Sequence, residues 1–192
     1  MSTGLVLVLD GPSSVGKSTT LEALQRRWPI ERSGPLVAAG LDATRALLGS
    51  GGRGRWAELI DRVEPSVAGR PPRFRYGPLG REMIATMHRA AATWARAGFD
   101  VGLDHCIVDT AVLADLRRAC DGVPLLVIGM TCDPDVLDDR ESDRSDVVQG
   151  RSAAQRAAVL EVEHQAVIDT TESTTEEVVA EVMELVRRFR RG

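Results

Sequence analysis

The sequence predicts an α/β protein built on a doubly wound, mainly five-stranded parallel sheet. Five short apolar runs punctuate the chain, and segments with apolar residues at helical spacing separate them. Buried parallel strands read as unbroken apolar runs because helices cover both faces of the sheet. Right-handed crossovers then place a ligand at the carboxyl ends of the strands.

The elements follow in order. Leu5 to Leu9 is apolar, bounded by Gly4 and Gly11, and reads as the first buried strand. Ser18 to Trp28 carries Leu21, Leu24 and Trp28 on one stripe and should end at Pro29. Pro35 to Gly40 is a second strand, after which Asp42 could cap a helix over Ala43 to Leu48. Residues 49–80 have another texture: rich in arginine, glycine and proline, with little periodicity outside Trp56 to Val63. Such a stretch reads as a long surface excursion. A helix over Leu79 to Ala97 should face inward with Met83, Met87, Ala90 and Trp94 and stop at Gly98. Phe99 to Asp104 is a third strand ending in a carboxylate, Thr110 to Cys120 a helix, and Pro124 to Thr131 the clearest buried strand. Helices over Pro134 to Arg144 and Ser152 to Glu163 are split by a turn from Ser145 to Gly150. Gln165 to Asp169 is the fifth strand. Thr175 to Arg191 is an amphipathic helix with Val178, Val182, Leu185, Val186 and Phe189 inward, its terminal arginines meeting the negative end of the helix dipole.

At 192 residues, the chain reads as one domain spanning 1–192, large enough to need no disulfide staples. The formal charge of −4 argues against a nucleic-acid partner. Three widely spaced cysteines, Cys106, Cys120 and Cys132, suit reduced thiols and a cytoplasmic location. No apolar run approaches a membrane span, and Asp10 cuts short the first one, so neither a membrane partner nor a signal peptide is expected.

The chemistry begins at Gly11-Pro12-Ser13-Ser14-Val15-Gly16-Lys17-Ser18, a full match to the Walker A pattern between a buried strand and an amphipathic helix. Gly11 and Gly16 let the backbone turn several N–H groups inward as an anion nest. Lys17 would reach the β- and γ-phosphates, and the Ser18 hydroxyl would ligate Mg²⁺ at the positive end of the following helix. The nucleotide site is accordingly expected over Gly11 to Thr19, with Pro12, Ser13, Ser14, Val15 and Gly16 supplying the loop.

A GTPase would carry N-K-x-D and D-x-x-G, and neither occurs. Small phosphotransferases add an acceptor pocket and a lid of arginines. Asp133 to Arg151 offers that lid, with Arg140 and Arg144 four apart on one helical face and Arg151 beyond a turn. The competing reading is a solvated helix of ion pairs among Asp139, Arg140, Asp143 and Arg144. Two acids follow strands, Asp42 and Asp104. Asp42 is either a helix cap or the carboxylate that activates an acceptor hydroxyl. Asp104 reads as the Walker B acid that holds Mg²⁺ with Ser18. His105 reads as a neighbour rather than a base, and His88 and His164, both expected on helices, as structural. Asp10 either anchors the loop or touches Mg²⁺ or the acceptor.

Together these residues resemble the chloramphenicol phosphotransferase family of small P-loop kinases. The resemblance runs through Gly11 to Ser18, Ala38 to Asp42, Gly77 to Glu82, Ala95 to His105, Cys132 to Arg144 and Val167 to Thr171. It implies a P-loop NTPase fold, kinase-like, with a lid over 133–151 and the 49–80 excursion on the acceptor side. It implies ATP as donor, Asp42 as catalytic base, Asp104 as the strand-three carboxylate, and Arg140 and Arg144 as lid arginines acting with Lys17. It places Asp169, Thr170 and Thr171 where related kinases meet the purine. The chain departs from the family at His105, where a second acid is common, and near Val147, where another arginine is common. Residues 49–75 show no clear match, so the chemistry carries over and the acceptor does not. Arg53, Arg55, Arg62, Arg70, Arg73 and Arg75 hint at an anionic acceptor, and a solvated loop explains them equally.

The expectation is therefore an ATP- and Mg²⁺-dependent O-phosphotransferase acting on a small hydroxylated natural product or antibiotic, for resistance or biosynthesis. Pairing into a homodimer would suit its long helices. The rivals are a nucleoside or nucleotide kinase of primary metabolism and a nucleotide-binding regulatory module without transfer.

Overall fold

A computed structural model describes residues 2–32, 34–46, 60–61, 74–144, 150–159 and 161–192. Its centre is a parallel sheet of five strands: β1 (Val6–Asp10), β2 (Leu36–Gly40), β5 (Asp100–His105), β6 (Leu125–Thr131) and β7 (Ala166–Asp169). The spatial order is β2-β5-β1-β6-β7, so the chain winds outward from β1 in both directions. Asp10 at the end of β1 stands in register with His105 of β5 and Gly129 of β6. Three strand ends therefore open at one level.

Strand β1 shows why the sheet needs two covering layers. Side chains alternate across a strand. Leu5, Leu7 and Leu9 pack into the core on one face, and Val6 and Val8 into the core on the other. The first face is covered by α1 (Lys17–Glu31) and the C-terminal helix, α7 (Thr175–Phe189). The second is covered by α3 (Pro78–Arg96) and α4 (Thr110–Ala119). Each fully buried leucine or valine contributes roughly 1.5–3 kcal/mol relative to exposure. Helix α7 starts on a capping box, in which Thr174 accepts from the Glu177 N–H and Glu177 accepts from the Thr174 N–H.

The remaining elements are α2 (Leu41–Ala46), α5 (Pro134–Ser142), α6 (Arg151–Val159) and a small antiparallel pair, β3 (Ile60–Asp61) with β4 (Arg75–Tyr76). Of the expected acceptor-side excursion, the structure describes residues 60–61 and 74–80. The rest, including Arg53, Arg55, Arg62, Arg70 and Arg73, lies outside the described residues, as does most of the turn over 145–150.

Several local expectations are corrected. Pro29 does not end α1, which runs on to Glu31. In the last turn a proline forfeits one backbone bond only, and the Arg32 N–H still closes on the Trp28 carbonyl. Helix α2 begins directly at Leu41, so Asp42 lies in its first turn rather than at its cap. The inward face of α3 is rotated. Met83 and Met87 are buried as expected, but Trp94 is 48% exposed and Ala90 is exposed, while Ile84, His88, Ala91, Ala92 and Ala95 point in. Alanines let the helix sit close to the sheet, which a tryptophan at that position would prevent. Gly98 ends α3 with a positive φ of 97°, the left-handed conformation that favours glycine.

At the opposite end of the sheet from the β1 loop, Asp100 ties four segments together. Its carboxylate accepts from the Leu5 N–H (2.8 Å), Trp28 Nε1 (3.0 Å), Arg32 Nε (3.1 Å) and Arg190 (2.5 Å). Burial alone would raise its pKa, but the Leu5 amide and the Arg190 guanidinium lower it below the usual carboxylate range. Replacing Asp100 with Ala strands the Leu5 and Trp28 donors in a largely buried place. The expected loss is about 3 kcal/mol, read as a lower urea midpoint with an unchanged m-value.

Candidate active site

The loop after β1 is shaped by its glycines and closed by α1. A Cβ on Gly11 would meet the Met130 carbonyl oxygen at 2.7 Å and Val15 Cγ1 at 2.9 Å. Ser14 (φ 64°) and Gly16 (φ 100°) both adopt positive φ, which turns successive N–H groups to one side. Helix α1 begins at Lys17 with no side-chain cap, so its first amides remain available to an anion. Lys17 Nζ donates to the Pro12 carbonyl at 2.6 Å and lies 3.7 Å from Asp104 Oδ1. Ser18 Oγ donates to Asp104 Oδ2 at 2.6 Å. Ser14 Oγ is buried and has no partner among the described residues.

Asp10 holds this loop from below. It is completely buried; its Oδ1 accepts from the Ile107 N–H at 2.6 Å and its Oδ2 meets His164 Nε2 at 2.8 Å. Burial pushes its carboxyl pKa up, and His164 and the Ile107 amide pull it back. Of the roles open to Asp10, the geometry selects the anchor. His164 is not on a helix but in the loop before β7. Its ring fits because Gly129 has no side chain, since a Cβ there would stand 2.9 Å from the imidazole.

The loop after β7 forms the next wall. Thr170 is buried, and its hydroxyl reaches the Val15 carbonyl at 3.1 Å and the Thr131 carbonyl at 3.0 Å. Arg140 donates to the Thr170 carbonyl at 2.8 Å and the Thr171 carbonyl at 3.3 Å. Arg140, expected as a lid arginine, is therefore seated against this loop. Asp169 is turned in on Thr171, accepting from its N–H at 2.9 Å and its hydroxyl at 2.5 Å. Helix α6 closes over the start of the phosphate loop, where Gln155 Oε1 accepts from the Ser13 N–H at 2.6 Å. Glu141 fixes that helix. Its buried carboxylate accepts from the Gly150 N–H at 2.7 Å and the Ser152 N–H at 2.8 Å.

One cavity of about 690 Å³ joins these parts. Ser13 to Thr19, Asp42, Asp104, Arg140, Arg144 and Thr170 all line it. Gly11 and Pro12 are buried under the loop instead. Asp169 and Thr171 face a second, shallower cleft of about 540 Å³. Asp42, exposed on α2, thus shares a cavity with Lys17. Helix α5 ends at Ser142, so Arg144 reaches the cavity from just beyond the helix rather than from its face. Sequence reasoning missed Gln155 and Tyr76, which also line the cavity. A mid-helix glutamine and an isolated tyrosine carry no local signal. No group of three or more metal-ligating side chains occurs among the described residues.

Behind the end of β5 lies a buried relay. His88 Nδ1 stands 2.8 Å from Asp115 Oδ2, and His88 Nε2 stands 2.7 Å from His105 Nε2. Burial and the neighbouring His88 push His105 down to about 3, and burial lowers His88 despite Asp115. Both rings are then neutral near pH 7. With the His88 Nδ1–H on Asp115, the proton between the rings belongs to His105. His105 so spends its Nε2 on His88, in keeping with the neighbour role.

A family model described as chloramphenicol phosphotransferase-like protein matches residues 4–187. No curated protein matches the chain. Among solved structures, the APS kinase of Mycobacterium tuberculosis in complex with AMPPNP and APS is similar at TM-score 0.68 and 14% identity, over 97% of this chain and 99% of that one. A gluconokinase from Sinorhizobium meliloti is similar at TM-score 0.65 and 16% identity, over 100% and 97%. An unliganded sugar kinase from Janibacter sp. is similar at TM-score 0.64 and 16% identity, over 96% and 95%. At these identities the likeness is one of fold, that of P-loop kinases.

The buried histidine has a measurable consequence. The folded chain keeps His105 unprotonated down to about pH 3, while an unfolded chain protonates it below about 6.5. Between those values the unfolded state binds the extra proton, so stability falls as pH falls. Urea midpoints of the native chain and of His105→Gln, compared between pH 7 and pH 4.5, should show a smaller decline in the variant. Equal declines would contradict the buried neutral ring.

Proposed function

The chain belongs to the chloramphenicol phosphotransferase-like family, and on that premise we propose that it is an ATP- and Mg²⁺-dependent O-phosphotransferase acting in the cytoplasm on a small hydroxylated natural product or antibiotic. The observation that carries the reading is one cavity lined by the anion nest, Lys17, the Ser18–Asp104 pair and, from another strand end, Asp42.

The loop amides from Ser13 to Thr19 and the Lys17 ammonium bind the β- and γ-phosphates. Lys17 leaves the Pro12 carbonyl to do so. The Ser18 and Asp104 oxygens, 2.6 Å apart, are close to the roughly 3 Å that separates adjacent ligands in an octahedron with bonds of about 2.1 Å. A shortage of protein ligands suits Mg²⁺, which keeps waters and phosphate oxygens around it. Bound there, the ion would offset charge on the β- and γ-oxygens. By the family resemblance the segment Asp169 to Thr171 would meet the purine, and ATP as donor follows from the family.

On the acceptor side, Asp42 accepts the proton of the attacking hydroxyl and orients that oxygen. It is exposed and on the first turn of α2. Arg140, already seated on the Thr170 loop, and Arg144 meet charge spreading over the transferred oxygens. Helix α6, held to the Ser13 amide by Gln155, excludes water from that side.

Two variants test this. Asp42→Asn should lose on the order of 10²–10⁴-fold in turnover with an unchanged nucleotide affinity. Lys17→Ala should lose both nucleotide affinity and turnover. Mass-spectrometric screening of ribosomal antibiotics, other natural products and nucleosides with MgATP identifies the acceptor. Near-native turnover of Asp42→Asn on that acceptor overturns the base assignment, and ATP binding with no product from any hydroxyl compound overturns transfer itself.

A further inference from the structure

Arg151, the first residue of α6, is a cation that lines the cavity. Its guanidinium carbon lies 5.6 Å from the Phe74 ring centroid, a cation–π distance. Its Nε is buried and has no hydrogen-bond partner among the described residues. Buried polar groups are otherwise satisfied almost everywhere, so an orphan nitrogen in a guanidinium side chain that lines the cavity marks a place that a ligand completes. The backbone around it is clamped, because Glu141 accepts from the amides on either side of Arg151, Gly150 and Ser152. The side chain is thus held at both ends, by the Glu141 cap and by the aromatic ring.

Its neighbours place it on the acceptor side. Phe74 stands edge-on to Tyr76 at 5.2 Å, and the Tyr76 hydroxyl donates to the Cys106 carbonyl at 2.7 Å, just past the end of β5. That strand lies between β1 and β2, away from β7 and the Thr170 loop where Arg140 is seated. Arg151 also acts electrostatically on the Tyr76 hydroxyl and the Cys106 thiol, lowering both against the burial that raises them. Arg140 and Arg151 therefore divide the cavity, one against the β7 loop and one against the β4–β5 wall.

We propose that Arg151 is a specificity-determining residue that binds an oxyanion on the acceptor, so that the substrate is a hydroxylated compound carrying a carboxylate, phosphate or sulfate group. The inference rests on the phosphotransferase reading for its use of the word acceptor. The guanidinium, its carbon over the Phe74 ring at 5.6 Å, has N–H groups left for a planar or tetrahedral anion, which an arginine binds in forked geometry. A neutral acceptor of the same shape would leave the Nε orphaned.

The test uses the full chain saturated with AMPPNP and Mg²⁺, then titrated with inorganic sulfate. The readouts are the Nε–H resonance of Arg151 and the thermal midpoint. Saturable sulfate binding alongside AMPPNP is expected, with a shifted Nε–H signal. Arg151→Gln should weaken it at least ten-fold, the scale of one charge-assisted hydrogen bond. Arg151→Lys, which keeps the charge without the fork, should fall between. Equal sulfate affinity in Arg151→Gln overturns the proposal. So does competition between sulfate and AMPPNP, which would assign the guanidinium to the nucleotide. If AMPPNP does not bind at all, the phosphotransferase reading falls, and the difference in sulfate affinity between the nucleotide-free native chain and Arg151→Gln then decides whether Arg151 takes an anion.

Discussion

The buried carboxylate of Asp10 is the constraint on which the site is built. It sits where β1 gives way to the phosphate loop, and it binds one group from each side: the Ile107 amide beyond β5 and the His164 ring before β7. A buried carboxylate cannot stand alone, and removing one partner leaves the other group's charge or dipole uncompensated. The end of β1, the segment after β5 and the loop before β7 are therefore locked together at the level where the phosphate loop leaves the sheet. Even the missing side chain at Gly129 serves this contact, since it makes room for the imidazole. The nest above inherits its geometry from that lock.

Around the nest the fold arranges three supports with different chemistry. Thr170 joins the β7 loop to the phosphate loop through the Val15 carbonyl, Gln155 joins α6 to it through the Ser13 amide, and Asp104 joins β5 to it through Ser18. The arginines sit on these supports rather than hanging free. Arg140 rests on the carbonyls of Thr170 and Thr171, and Arg151 rests on Phe74. Charges held in place before a ligand arrives cost little reorganisation when it does, which is how a site gains electrostatic effect from a modest number of residues.

Much of this was legible in the chain. The alternation of apolar runs with helical stripes shows the doubly wound sheet, and Gly11-x-x-x-x-Gly16-Lys17-Ser18 marks the nest, because both signals are local and periodic. What escaped is nonlocal. Asp10 had several roles open to it, because its partners Ile107 and His164 lie 97 and 154 residues away. Gln155 looked like any surface glutamine in a helix. The inward face of α3 came out rotated, because Met83 and Trp94 have the right period but the sheet admits alanine where tryptophan would not fit. Pro29 marked a stop that the last turn of α1 simply absorbs.

The phosphate loop is engaged by internal bonds, Lys17 to Pro12 within the loop and Ser18 to Asp104 of β5. The Lys17 ammonium and the Ser18 hydroxyl are thus both engaged within the protein. An arriving polyphosphate must exchange these internal bonds for its own, so what counts is only the surplus. Under the proposed function, a lone anion that satisfied the ammonium without also re-ligating the serine and the aspartate through a cation would recover little of what it displaced.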